Sequence, residues 1–179
     1  MHKYIISGAA GTGKTTLINA INNDGTPTMP EASRQVIMHE QLTGGEGMPW
    51  KDVERFSELV FQKTMHQLKE NPDAVFCDRS IIDTIAYLKF QNKPIQKELK
   101  AFPYQKYYHK QVFFALPWEK IYITDPQRPE SFSYQKSLSK VLEETYLECG
   151  FELIYLPFES VENRMNFVFD KVCMTIKIK

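Results

Sequence analysis

Apolar residues fall along this chain in two rhythms. Short, nearly unbroken apolar runs stand at Tyr4-Ile5-Ile6-Ser7, Ala74-Val75-Phe76-Cys77, Val112-Phe113-Phe114-Ala115-Leu116 and residues 151–156. Runs of this length predict strands buried on both faces of a sheet. Pro27 to Met29 adds a shorter candidate second strand. Between them the apolar residues recur at helical spacing. Residues 14–22 put Leu17, Ile18 and Ile21 on one face, and a second helix runs from about Glu31 towards Gln41, with Pro30 in its first turn. Val53, Phe56, Val60 and Leu68 mark a long amphipathic helix, and another begins near Ser80. Leu138, Val141, Leu142 and Tyr146 share a face of a helix over 133–149, which Gly150 is placed to end. Ser160 can cap a last helix carrying Val161, Met165, Val168 and Val172.

Strands alternating with helices imply right-handed crossovers. The fold expected is a three-layer α/β domain, a five-stranded, mostly parallel sheet with helices on both faces. With no repeat, low-complexity tract or linker, residues 1–179 read as one domain. Ligands in such sheets bind beyond the carboxyl ends of the strands. The charged clusters of this chain fall at those ends.

Composition narrows the partners. Lys plus Arg and Asp plus Glu both number 22, so no overall field draws the chain to nucleic acid or anionic membrane, and no nucleic-acid partner is expected. No apolar run approaches the ~20 residues of a membrane span. The N-terminus is too short in apolar residues for a signal peptide. Cys77, Cys149 and Cys173 lie far apart in no zinc-binding spacing. They read as buried free thiols, which places the protein in a reducing compartment, the cytosol.

The first strand leads into Gly8-Ala9-Ala10-Gly11-Thr12-Gly13-Lys14-Thr15, a fit to GxxxxGK[ST] at every fixed position, with Thr16 continuing into the helix. Phosphate oxygens need several N–H donors converging on one point. Gly8, Gly11 and Gly13 allow the backbone to curl that tightly, and the helix opening at Lys14 aims its dipole at the anion. Lys14 can reach the β- and γ-phosphates, and the Thr15 hydroxyl can ligate Mg²⁺. A plain glycine-rich turn would need neither Lys14 nor Thr15.

The third strand ends at Asp78-Arg79-Ser80. An acid there completes a Mg²⁺ shell in P-loop proteins, so Asp78 is a metal candidate with Thr15; its competing role is to cap the next helix. Arg34 lies one turn after Glu31 and can hold an acceptor or pair with Glu31. Arg79 can contact substrate or triphosphate. Asp83, four residues on, can bind substrate or pair with Arg79 along the helix. The Gly44 to Gly47 stretch can cover an acceptor or simply connect. His2, His39, His66 and His109 have no partner at metal-ligand spacing and read as non-catalytic. Tyr104, Tyr107 and Tyr108 with Lys106 and Lys110 suit packing beside the fourth strand better than nucleic acid.

Taken in order, residues 8–16, Pro30-Glu31-Ala32-Ser33-Arg34, Asp78-Arg79-Ser80-Ile81-Ile82-Asp83-Thr84, Asp125-Pro126-Gln127-Arg128 and the closing Tyr155-Leu156-Pro157-Phe158 and Val161-Glu162-Asn163-Arg164 form a pattern. It resembles the small AAA-domain ATPases grouped with the nicotinamide riboside kinase domain of the bacterial NAD regulator, and more distantly the deoxynucleoside kinases. The resemblance implies a nucleoside-kinase type of P-loop fold using ATP and Mg²⁺. It implies Glu31 as the base that deprotonates a hydroxyl acceptor, with Lys14 and Asp78 in the catalytic set. It also implies Arg128 on a lid over the phosphates. Asn92-Lys93-Pro94-Ile95 lacks the aspartate of a guanine motif, which favours ATP. The function expected is an ATPase or kinase passing the γ-phosphoryl group to a small nucleoside- or nucleotide-like hydroxyl compound. The alternative is a regulatory switch with slow hydrolysis, controlling a protein or lipid partner.

Overall fold

The computed structural model describes residues 2–123 and 130–177, with side chains to residue 173. Strand β1 (Lys3–Gly8) leads into helix α1 (Lys14–Asn23), then β2 (Thr28–Met29), α2 (Ala32–Thr43) and α3 (Val53–Glu70). Next come β3 (Phe76–Asp78), α4 (Ile81–Phe90) and the single turn α5 (Lys97–Lys100). The chain finishes with β4 (Tyr108–Ala115), α6 (Phe132–Glu148), β5 (Glu152–Tyr155) and α7 (Val161–Lys177). The sheet order is β2-β3-β1-β4-β5, and every pairing is parallel.

Both faces of the sheet are covered, which is why its strands are apolar in consecutive positions. Tyr4, Ile6, Phe76 and Phe113 point to one side, where Leu17, Ile18 and Ile21 of α1 and Val168 of α7 meet them. Ile5, Cys77, Val112 and Phe114 point to the other, against Ile81, Ile82 and Ile85 of α4 and Leu138, Leu142 and Tyr146 of α6. A smaller cluster, Ala32, Val36, Phe56 and Val60, joins α2 to α3.

The register sets the site. Met29 lies beside Cys77 and Ile6 beside Asp78, so the segments leaving β1, β2 and β3 emerge at one level. After β1 the chain adds β2 at one edge, returns to place β3 between β2 and β1, and then adds β4 and β5 on the other side. The crevice at this switch is where parallel sheets bind ligands.

Several boundaries differ from the sequence reading. Helix α2 begins at Ala32 with Glu31 as its N-cap, so Pro30 precedes the helix instead of occupying its first turn. Strand β3 starts at Phe76 and includes Asp78. Strand β4 starts at Tyr108, where the pattern pointed to Val112. His109, Lys110 and Gln111 hid its beginning, because this end of the strand is only partly covered, and Lys110 pairs with Glu152 at 2.6 Å on the neighbouring strand. Cys77 is buried, but Cys149 is only partly so and Cys173 is exposed, against the expectation of three buried thiols. Tyr104 and Tyr108 are buried, and Tyr107 stacks on Phe102, so the tyrosine cluster is packing. Among the described residues no helix is long and apolar enough to cross a membrane.

Candidate functional site

The loop between β1 and α1 takes the shape that its glycines permit. Gly11 and Gly13 have φ of 74° and 78°, and Gly13 is the N-cap of α1. Gly8 is restricted twice: its φ is 135°, and a Cβ there would lie 2.2 Å from the Ala115 carbonyl oxygen. Surrounding helices hold the loop in place. The Ala10 N–H donates to Gln135 Oε1 of α6 at 3.0 Å, and Arg164 Nη1 of α7 donates to the Thr12 carbonyl at 3.0 Å. Inside the cradle, Lys14 Nζ donates to the Ala9 carbonyl (2.6 Å) and to Thr12 Oγ1 (3.2 Å). Burial, with Arg79 nearby, pulls Lys14 down to about 7. An anion in the cradle would oppose that shift by favouring the charged ammonium.

Thr15 at the first turn of α1 donates from Oγ1 to Asp78 Oδ2 at 3.1 Å. Asp78 Oδ1 is buried with no hydrogen-bond partner. Burial and the neighbouring Glu31 push the Asp78 carboxyl up to about 6. Asp78 is not the helix cap: Ser80 takes that place, in a capping box closed by Asp83. An orphaned carboxylate oxygen beside a hydroxyl is a hard-oxygen donor pair. It fits Mg²⁺, which takes one or two protein oxygens and completes its shell with water and phosphate. Among the described residues there is no group of three His, Cys, Asp or Glu that could hold a metal unaided.

Arg79 sits in the turn after β3 at φ 71°, an uncommon conformation for a residue with a side chain. This backbone turns its guanidinium back over the sheet end. Nε meets Glu31 Oε1 at 2.9 Å, while Nη1 meets Asp83 Oδ1 and the Gly8 carbonyl, each at 3.0 Å. One side chain thus ties the ends of β1, β2 and β3 together. Burial alone would lower its pKa, but Glu31 and Asp83 outweigh that and hold it firmly charged. Burial likewise opposes ionisation of Glu31, yet Arg79 and the Ser33 hydroxyl, 2.5 Å from Oε1, keep its carboxyl below the usual range. Glu31 is the N-cap residue of α2 but makes no side-chain cap bond to it.

Asp83 has little freedom left. Oδ1 accepts from Ser7 Oγ (2.7 Å) and Arg79, while Oδ2 accepts from the Ser80 N–H (2.9 Å) and the Tyr146 hydroxyl. Four protein donors fill it, and the helical Arg79–Asp83 pair is present. Arg34 stands apart: it is 44% exposed and its Nε is 3.9 Å from Glu31 Oε2. Arg128 lies outside the described residues.

These groups line one cavity of about 430 Å³. Loop residues 10–16, with Lys14 among them, and Glu31, Arg34, Asp78 and Arg79 share its lining. The same lining includes the apolar side chains of Met29, Trp50, Phe56 and Val60, and Gln67 of α3. Gln67 is buried and donates from Nε2 to Gln35 Oε1 at 3.3 Å, and its own Oε1 has no partner. The Gly44 to Gly47 stretch is structured: Glu40 Oε2 accepts from the Gly47 N–H at 2.7 Å. It carries Pro49 and Trp50 to the cavity wall. A second cavity, about 460 Å³, adjoins the outer side of the loop and includes Trp118, Ile121, Val161 and Arg164. None of the histidines lines either cavity.

Sequence reasoning assigned no role to Gln135, Gln67 or Arg164. Each is an isolated polar residue in a helix, and only the packing of α3, α6 and α7 brings it to the loop or cavity. Arg164 stood in the closing pattern without a function.

A parallel sheet whose first strand ends in this loop, with Thr15 and Asp78 joined beneath it, defines a nucleotide-binding P-loop protein. Within that class the chain belongs to the AAA domain family, whose sequence model matches residues 3–164. Proteins of curated function yield no match. Among solved structures, the deoxyadenosine kinase of M. mycoides, determined with bound dATP, superimposes with a TM-score of 0.68. The match covers 95% of this chain and 98% of that one at 18% identity, a likeness of fold.

Proposed function

We propose that this protein is a Mg²⁺-dependent ATP phosphotransferase that passes the γ-phosphoryl group to a hydroxyl of a small nucleoside- or nucleotide-like compound. The observation that carries the reading is one cavity whose lining joins the P-loop to Glu31 and Arg79 and also holds apolar side chains and a buried, half-satisfied amide at Gln67. A switch that only hydrolyses its nucleotide has no use for such apolar and amide lining. The deoxyadenosine kinase with the same fold is, by its name, a nucleoside kinase, which adds support.

The roles follow from position. The loop N–H groups and Lys14 hold the triphosphate, and the second cavity beside the loop suits its base. Thr15 and Asp78 would hold Mg²⁺, which neutralises charge on the β- and γ-oxygens when bound. The acceptor oxygen attacks the γ-phosphorus, the bond to the ADP oxygen breaks, and the acceptor's proton passes to Glu31. A carboxylate kept ionised by Arg79 is a weak base, which suffices where the proton leaves late in a loose transition state. Arg34 at the cavity mouth is placed for an acceptor's hydroxyl or phosphate, and Arg128 is proposed as the lid arginine. Asp83 acts through Arg79, holding its fork.

The test is ADP release from Mg·ATP, alone and with a panel of nucleosides, nucleotides and nicotinamide riboside. One acceptor should raise the rate a hundredfold or more, about 2.7 kcal/mol of barrier. Glu31→Gln should lower that transfer by roughly 10²–10⁴-fold with nucleotide affinity retained. A slow rate indifferent to every acceptor would favour the switch, and undiminished transfer by Glu31→Gln would remove it from the mechanism.

A further inference from the structure

Arg164 is a buried cation with no carboxylate at ion-pair distance among the described residues, although Glu159 lines the same second cavity. Arg164 is 3% exposed, and it forms no ion pair among the described residues. Its side chain makes one hydrogen bond, from Nη1 to the Thr12 carbonyl at 3.0 Å, and Nε is buried without a partner. Arg79, by contrast, is paired with Glu31 and Asp83, while buried Lys14 on the cradle side of the same loop has, like Arg164, only neutral acceptors, the Ala9 carbonyl and Thr12 Oγ1. A charge taken out of water without a counter-charge is costly, and it persists where something else compensates it.

The geometry points to the nucleotide's phosphates as the counter-charge of Arg164, which acts on them through the P-loop backbone; this rests on the nucleotide-binding character of the loop. The Thr12–Gly13 peptide is trans, so the carbonyl that meets Arg164 and the Gly13 N–H point in opposite directions. A guanidinium on the carbonyl polarises the peptide and strengthens its N–H as a donor on the far side, towards the cradle. The positive charge itself adds to the potential there. The contact also explains Gly13 a second time: a Cβ at that position would lie 2.9 Å from Arg164 Nη1. Arg164 is therefore a positioning residue for the loop and a determinant of phosphate number, acting from α7 on the outer side of the cradle.

This separates it from a merely structural arginine. If Arg164 senses phosphate charge, its removal weakens ligands in proportion to their charge. If it only braces the loop, all nucleotides weaken alike or the fold loosens. The experiment measures dissociation constants of Mg·ATP, Mg·ADP and AMP by titration calorimetry for the wild type, Arg164→Met and Arg164→Lys, with the melting temperature of each ligand-free protein. For Arg164→Met the expected loss is on the order of tenfold for ATP, smaller for ADP and least for AMP, with no fall in ligand-free melting temperature. Arg164→Lys should keep most of the ATP affinity. A uniform loss across the three ligands, or no loss, would overturn the assignment. If Arg164→Met does not fold, Arg164→Gln replaces it, and an ATP-to-AMP affinity ratio equal to that of the wild type again refutes it. Absence of binding to all three by the wild type would instead refute the ATP reading itself.

Discussion

Asp83 offers the sharpest test of how the site is built, because sequence reasoning allowed it two roles and the structure surrounds it with four donors. Asparagine keeps its shape and removes its charge. In Asp83→Asn one side of the amide still accepts, and it can serve the Ser7 hydroxyl and Arg79 at Oδ1. The other side becomes an NH₂ facing the Ser80 N–H and the Tyr146 hydroxyl. Tyr146 can turn its proton towards Ser80 Oγ, 2.8 Å away. The Ser80 N–H cannot turn, and a buried donor left facing a donor costs about 1–3 kcal/mol. Arg79 keeps Glu31 but loses its second carboxylate, and exchanging a charged for a neutral acceptor costs about 1 kcal/mol more. The sum is about 2–4 kcal/mol of stability, a large part of the ~5–15 kcal/mol that holds a domain folded. Urea denaturation should therefore show a lower midpoint with unchanged slope. A loss below about 1 kcal/mol with acceptor turnover abolished would refute the reasoning and return Asp83 to the substrate site.

Lys14 should make triphosphate binding pH-dependent. Its ammonium is pulled down to about 7 in the free protein, and phosphates raise it, so binding takes up a proton above neutrality and affinity falls as pH rises. Calorimetry at pH 8 in buffers of different ionisation enthalpy reads this directly, and zero uptake would contradict it. Gly8→Ala forces a Cβ to 2.2 Å from a backbone oxygen and should lower stability by about 3 kcal/mol. Gly150→Ala, also at positive φ but in open space, should lower it by roughly 1–2 kcal/mol. Equal melting temperatures for the two variants would count against the packing argument. Burial raises the pKa of the Cys77 thiol strongly. A thiol reagent followed by mass spectrometry should therefore label exposed Cys173 first and Cys77 only in denaturant. Prompt labelling of Cys77 would contradict the burial.

What the sequence determined by itself was local. A phosphate cradle needs consecutive residues, so Gly8, Gly13, Lys14 and Thr15 were legible from spacing alone, as were strands whose burial on both faces leaves an unbroken apolar run. Asp78 and Arg79 stood out because a charged pair closes such a run. The start of β4 escaped because its exposed residues are polar and its pairing partners lie far away in the chain. The tertiary structure decided the rest, since long-range partnership leaves no mark in spacing. It alone ties Glu31 to Arg79 across 48 positions and Ser7 to Asp83 across 76. It alone gives Asp83 four donors where the sequence showed only a helical neighbour. It brings Arg164 to the Thr12 carbonyl from 152 positions away, because α7 packs against α1 on the outer face of the sheet. A charge's meaning depends on what stands within a few ångströms of it. For Arg164 and Gln67 the fold supplies those neighbours, and their order in the chain does not.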